Sequence, residues 1–494
     1  MRPLPLLLRA ATAVAVVLAA PGAAAAAPPA APDQEVADYL RQRMADTGVP
    51  GLAYAVIGPE GTEHTAALGR DGDGAPMETA TPLLWGSVAK PITATLVMDL
   101  AEEGVLDLDE PVRSHLPDFE LADGSGGGIT LRHLLAQTSG LPEDTGITDR
   151  TAPPADAYTQ AVADLDQVHP IDPPGARHHY SSANYLLLGA VVEAATGRTF
   201  TDVLNERVLG PLGMADAVTT PAQAAAVPPG NRYVFGQPTA FTDAPYDPAG
   251  PSYGYIGGPV TDLARFAALH LNGRAGDGAA PLERETLARM HTAQARLSPT
   301  YSYGLGWRVD ERNADLGTTT VWHGGAVSGY QAMVVLLPER ERGLVLVQNA
   351  HGYFQDGALL ATGLGAARVL AGGEPAPAGN GLGYPALLAG LCAVIITVAV
   401  LSLRTAVRIL TRRPVPARPA RAAAETALWL AGCAVVGGAA VVGLPAAAGV
   451  DLGDLLLWTP DVGCLLLGIA AACAVLGAVR VAAAVAAARA RIRP

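Results

Sequence analysis

Ser87 and Lys90 are where chemistry would start. They stand three places apart in Leu84-Trp85-Gly86-Ser87-Val88-Ala89-Lys90-Pro91, and Lys90 is the chain's single lysine, the other 32 of its 33 basic residues being arginine. Arginine serves surface charge and ion pairs as well as lysine does. A guanidinium, however, keeps its proton, whereas a buried or crowded ammonium can release its own and act as a base. A serine hydroxyl is a weak nucleophile that needs such a base within hydrogen-bond reach. Ile92 to Leu106 has helical apolar spacing, and Pro91, which lacks an N–H, fits only near a helix start, so the helix should begin at or near Ser87. Three-residue spacing then puts both side chains on one face. The helix N-terminus would also offer free N–H groups and a positive dipole end to a developing oxyanion.

Two further stretches complete a trio: Pro174-Gly175-Ala176-Arg177-His178-His179-Tyr180-Ser181-Ser182-Ala183-Asn184, and Val321-Trp322-His323-Gly324-Gly325-Ala326 with Gly329. With Ser87 to Lys90, they make residues 34–372 resemble the serine β-lactamase and penicillin-binding protein superfamily, close to class C β-lactamases, D,D-peptidases and related esterases. Ile129 to Leu135, Thr138 to Pro142, Pro211 to Met214 and Gly257-Gly258 before Thr261-Asp262-Leu263 are also similar to that family.

The resemblance implies Ser87 as the acylated nucleophile, Lys90 as its base or proton relay and Tyr180 as the second general base. It implies an oxyanion hole from the N–H groups of Ser87 and Ala326, and a substrate-binding edge of Ser182, His323, Gly324 and Gly325. His323 stands where many relatives have lysine, facing the substrate. Ser182 stands where the family usually has asparagine; a hydroxyl cannot offer an amide's donor and acceptor together, which favours a D,D-carboxypeptidase-like or esterase-like activity over an efficient β-lactamase. The implied partner is a small-molecule or peptide substrate, peptidoglycan stem peptides included. A penicillin-binding sensor or a silent binding protein of the cell envelope is the competing reading.

Other constellations carry less. Ser139 and His133 could form a Ser/His pair, but Thr138-Ser139-Gly140-Leu141-Pro142 reads as a turn. His178 and His179 lack the further ligands a metal needs. Neither a metal nor a cofactor is expected.

The elements that must position these residues read as α+β. Gln34 to Asp46 and Gly357 to Leu370 are helical. Gly51 to Ile57, Thr62 to Gly69, Gly304 to Val309, Thr318 to His323, Tyr330 to Leu337 and Gly343 to Gln348 are strand-like. Strands from both ends can share one antiparallel sheet around a helical subdomain.

Beyond this body come three apolar segments long enough to cross a bilayer, at 384–403, 427–447 and 462–479, after a Gly- and Pro-rich tether at 373–383. The loop at 404–426 and the tail at 480–494 are rich in arginine, while the loop at 448–461 carries Asp451, Asp454 and Asp461. The positive-inside rule then puts the basic segments in the cytoplasm and the body outside. Residues 1–27, with Arg2 and Arg9 before an apolar run and small residues at Ala23 to Ala27, read as a secretory signal, and 28–33 as a spacer. All four cysteines follow residue 390, so the body can hold no disulfide. Residues 28–383 carry a net charge of −21, a poor match for nucleic acid.

Overall fold

The computed structural model describes residues 32–150, 156–242, 244–274, 280–377, 382–411 and 419–492. The expected signal segment, most of the spacer, part of the tether and residues 412–418 of the basic loop lie outside them.

Eight strands form one antiparallel sheet: β1 (Gly51–Gly58), β2 (Gly61–Gly69), β3 (Ala295–Ser298), β4 (Tyr301–Tyr303), β5 (Arg308–Asp310), β6 (Thr320–Val327), β7 (Tyr330–Leu337) and β8 (Arg342–Gln348). Their spatial order is β2-β1-β8-β7-β6-β5-β4-β3. Strands from the two ends of the body do meet, with Leu52 opposite Gln348 and Ala55 opposite Val345.

Alternation along each strand feeds two cores. Leu52, Tyr54, Val56, Met333, Val335 and Leu346 pack beneath the helices α1 (Pro32–Thr47) and α5 (Asp356–Leu370). On the other face Ala53, Ala55, Ile57, Ala332, Val334 and Val347 join the larger core. That core includes α2 (Ala89–Glu102), α3 (Ser182–Thr196) and α4 (Val260–Asn272). Each of the larger of these side chains (Leu, Ile, Val, Met) contributes about 1.5–3 kcal/mol on burial, which is what binds the helical region to the sheet.

One strand differs from expectation. Gly304 to Trp307 is the turn of a hairpin and only Arg308 and Val309 are strand: Gly304 N–H donates to Trp307 O at 2.7 Å, and Tyr303 on β4 lies opposite Arg308 on β5. The glycines at 304 and 306 allow the reversal, Gly306 having φ +84°. This turn delivers Arg308 to the start of β5, opposite Trp322 on β6.

The tail consists of α6 (Gly383–Thr411), α7 (Pro419–Gly438), continued to Ala447 through a π-turn, the short α8 (Leu452–Trp458) and α9 (Pro460–Ile492). Three stretches of 29, 28 and 30 residues are long and apolar enough to cross a membrane. Only 22%, 11% and 39% of their apolar windows are buried in the protein, so they are not core helices. The helices outrun the apolar segments read from sequence because the flanking arginines favour helix too. The acidic loop also differs from expectation, since half of it is α8, whose N-terminus is closed by reciprocal hydrogen bonds between Asp451 and Asp454.

Candidate active site

Ser87 lies in a 3-10 turn, Gly86–Val88, that runs into α2. Just before it, Leu83–Leu84 pairs with Gly257–Gly258, and Trp85 donates from its backbone to Ile256 O at 2.8 Å and from Nε1 to Gly258 O at 3.1 Å. The fully buried Trp85 is thus packing. Pro91 falls in the first turn of α2, where no intrahelical donor is lost.

Lys90 is fully buried, and its Nζ donates to Ser87 Oγ at 3.0 Å, Ser182 Oγ at 3.1 Å and the Tyr253 carbonyl at 2.8 Å. Three acceptors match the three N–H donors of an ammonium. An arginine could not make this set, because its planar fork is larger and differently aimed.

Tyr180 stands immediately ahead of α3, its ring centroid 4.9 Å from Lys90 Nζ. Burial by itself raises the phenol's pKa. The Lys90 and Arg308 cations, with hydrogen bonding from Ser87 and Lys90, outweigh it and hold Tyr180 below the ordinary tyrosine value. Arg308, with its guanidinium 5.1 Å from the same ring, is a residue sequence reasoning missed. No short motif surrounds it; only the Gly304 to Gly306 reversal hints at a turn there.

His323 does not face the cleft as expected. It is fully buried, its Nδ1 2.8 Å from Gly324 O and its Nε2 3.1 Å from the Tyr303 hydroxyl. A carbonyl only accepts, so Nδ1 carries the proton and Nε2 accepts from Tyr303. Burial first, then Arg308 and Lys90, push its pKa well below the usual histidine value, and it is a neutral ring under Tyr180. The physical reason is strand parity: Trp322, whose side chain belongs to the opposite core, and Gly324 line the cleft, and the residue between them turns inward. The cation that does line the cleft is Arg308.

Ser182, expected on the substrate-binding edge, is placed against Lys90, whose Nζ donates to its Oγ at 3.1 Å. Asn184 points away, its Nδ2 donating to Gln137 Oε1 at 2.5 Å and its Oδ1 accepting from Ser139 Oγ at 2.5 Å. Ser139 is thereby accounted for. His133 instead caps its own short helix with Nδ1 accepting from Thr130 N–H at 3.2 Å, so the two do not form a Ser/His pair. His179 is bound to Asp172, and His178 packs on Tyr303, with burial, Arg308 and His179 lowering its pKa to about 4. Among the described residues no group of three or more His, Cys, Asp or Glu side chains could hold a metal.

β6 and the serine turn interlock through two glycines. A Cβ on Gly325 would lie 2.1 Å from Trp85 O and 2.5 Å from Ser87 N, and one on Gly86, whose φ is +57°, would lie 2.3 Å from Ala326 N. Bare backbones therefore touch, bringing the N–H groups of Ser87 and Ala326 to one neighbourhood. Ser87, Tyr180, Arg308, Gly324, Gly325 and Ala326 all line a single cleft of about 780 Å³. A somewhat larger cavity of about 910 Å³, between α5 and Arg312, contains none of the motif residues and offers no comparable chemistry.

Residues 36–367 match the family model described as Beta-lactamase. The chain belongs to the beta-lactamase family. Within that family it is 33% identical over 320 residues to penicillin-binding protein 4 of Amycolatopsis lactamdurans, an alignment covering 62% of this chain and 81% of that one. It is 31% identical over 336 residues to putative beta-lactamase-like 1 of Homo sapiens, covering 64% of each. Among solved structures, the octameric penicillin-binding protein homologue from Pyrococcus abyssi superimposes with a TM-score of 0.59 at 23% identity, over 69% of this chain and 78% of that one. A D-stereospecific amidohydrolase from Streptomyces sp. does so with a TM-score of 0.53 at 24% identity, over 64% and 94%. Such distant structural likeness carries the fold. Family membership makes the body a β-lactamase-related serine hydrolase, and the family match ends at residue 367, ahead of the apolar tail.

Proposed function

We propose that this protein is a membrane-anchored hydrolase, with its catalytic body outside the cytoplasm, that cleaves amide or ester bonds through an acyl-enzyme on Ser87. The contact between Lys90 Nζ and Ser87 Oγ at 3.0 Å, in a buried site beneath a phenol of lowered pKa, carries the reading. Ser87 Oγ attacks the substrate carbonyl while its proton passes to the Lys90–Tyr180 pair. Lys90 and Tyr180 take up that proton as one coupled unit, and the apparent pKa values belong to the pair. The carbonyl electrons collect on an oxyanion held by the N–H groups of Ser87 and Ala326. Collapse expels the amine or alcohol, which takes the proton back, and water then releases the acyl group by the reverse relay.

Arg308, and not His323, supplies positive charge to the cleft, fit for a substrate carboxylate. Ser182 spans only to Lys90, so a substrate amide lacks the paired donor and acceptor of an asparagine, which supports carboxypeptidase-like or esterase-like turnover over efficient β-lactam hydrolysis. The likeness to a D-stereospecific amidohydrolase points the same way for amides with D-residues. The acidic loop and arginine-rich flanks support the orientation, and the arginines at residues 2 and 9 support export.

The test is mass spectrometry of the full chain in proteoliposomes after exposure to a fluorophosphonate, benzylpenicillin or a p-nitrophenyl ester. An adduct on Ser87, absent from Ser87→Ala and slowed on the order of 10³-fold in Lys90→Arg, is expected. Labelling that survives Ser87→Ala would sink the reading, and penicillin turned over as fast as ester would replace it with a β-lactamase.

A further inference from the structure

The membrane tail reaches the active site. Val450, Asp454 and Trp458, from the segment joining the second and third membrane helices, line the same cleft as Ser87 and Tyr180. Trp458 sets its ring edge-on against His351, with centroids 5.5 Å apart. Two residues after α8 the chain enters α9, and there the buried Asp461 accepts from Phe235 N–H at 2.7 Å and from the Tyr384 hydroxyl. Phe235 belongs to the Gly230–Phe241 hairpin of the body and Tyr384 to α6, so one carboxylate ties body, first helix and third helix together. The mutual capping of Asp451 and Asp454 keeps α8 wound up to Trp458.

Resting on the acyl-enzyme reading above, we infer that Val450 to Trp458 is the outer wall of the substrate site and selects esters or amides that carry a long alkyl chain. This wall lies at the end of two membrane helices, so the cleft opens at the level of the membrane surface. Trp458, just before a spanning helix, sits where indole rings settle between lipid and water. Trp322, Leu360 and Tyr353 line the same cleft and give it apolar surface beside Arg308 and Ser87. An amphiphile entering from the lipid surface would lay its alkyl chain between these walls and bring its polar carbonyl to Ser87. A short, fully soluble ester needs none of this surface.

The experiment compares p-nitrophenyl octanoate with p-nitrophenyl acetate on the full chain in proteoliposomes, alongside fluorophosphonate labelling of Ser87. The wild type should favour the octanoate, and Trp458→Ala should raise KM for it about tenfold with acetate turnover and labelling within twofold of wild type, while Trp458→Phe keeps the preference. An octanoate-to-acetate ratio unchanged in Trp458→Ala overturns the inference and leaves the acyl-enzyme reading standing. A wild type that is not labelled at Ser87 overturns both. Labelling lost in Trp458→Ala alone marks that variant as misfolded, and Val450→Asn, at the other end of the segment, then decides by the same ratio.

Discussion

The two walls of the cleft are held in different ways. On the Ser87 side, Lys90 is fixed by three acceptors, and Gly86 and Gly325 let two backbones touch, all within the body. On the far side, Trp458 is held by a ring contact and, three residues on, by one carboxylate whose hydrogen bonds join body to tail. Bond-making demands placement to a fraction of an ångström, and it is assigned to the part with no room to shift. Selection among substrates tolerates more play, and it falls to the part that shares its position with the membrane.

Substitutions can separate the walls. The largest effect is expected from Gly325→Ala, because its methyl would enter the space of Trp85 O and Ser87 N and push β6 from the serine turn. Loss of an oxyanion donor costs about 10²–10³ in kcat, so steady-state kinetics should show a drop of that order for short and long esters alike. A drop confined to long esters would mean that the inner wall also selects.

Arg308→Met should act more mildly. Its cation helps hold the Tyr180 phenol below its ordinary value, so its removal raises the apparent pKa of the Lys90–Tyr180 pair. The base works deprotonated; the rising limb of kcat/KM should therefore move to higher pH, with the activity recovered on the alkaline side. A profile that drops without moving would assign Arg308 to substrate binding alone.

The smallest effect belongs to the outer wall. Asp461→Asn keeps the shape but weakens a charge-assisted acceptor worth about 1.5–3 kcal/mol. Hydrogen exchange at the Phe235 amide should quicken about tenfold while acetate turnover stays within twofold. If acetate turnover falls with it, the walls are mechanically one.

What could be read from the chain without coordinates follows the same division. Ser87, Lys90 and the helix start were legible because three-residue spacing and Pro91 are local facts. The three long apolar helices were legible because composition alone marks them, and the two-ended sheet because β1, β7 and β8 are short, nearly continuous apolar runs. His323 was misplaced, since a motif gives a position on a strand but not which face its neighbours leave open; here Trp322 and Gly324 take the cleft. Arg308 and the Tyr253 carbonyl were invisible because each arrives from a remote turn. The segment at 448–461 was read only through its acids, as a loop on the outer side, because nothing in a row of leucines tells that its last tryptophan meets His351.

Asp461 also bears on what a proteolytic cut would do. A body clipped free within the glycine-rich tether would keep its nucleophile and relay but leave Trp458 behind with the tail. Such release would not silence the enzyme; it would unroof the cleft and turn a selective, surface-bound catalyst into a broader one adrift in solution.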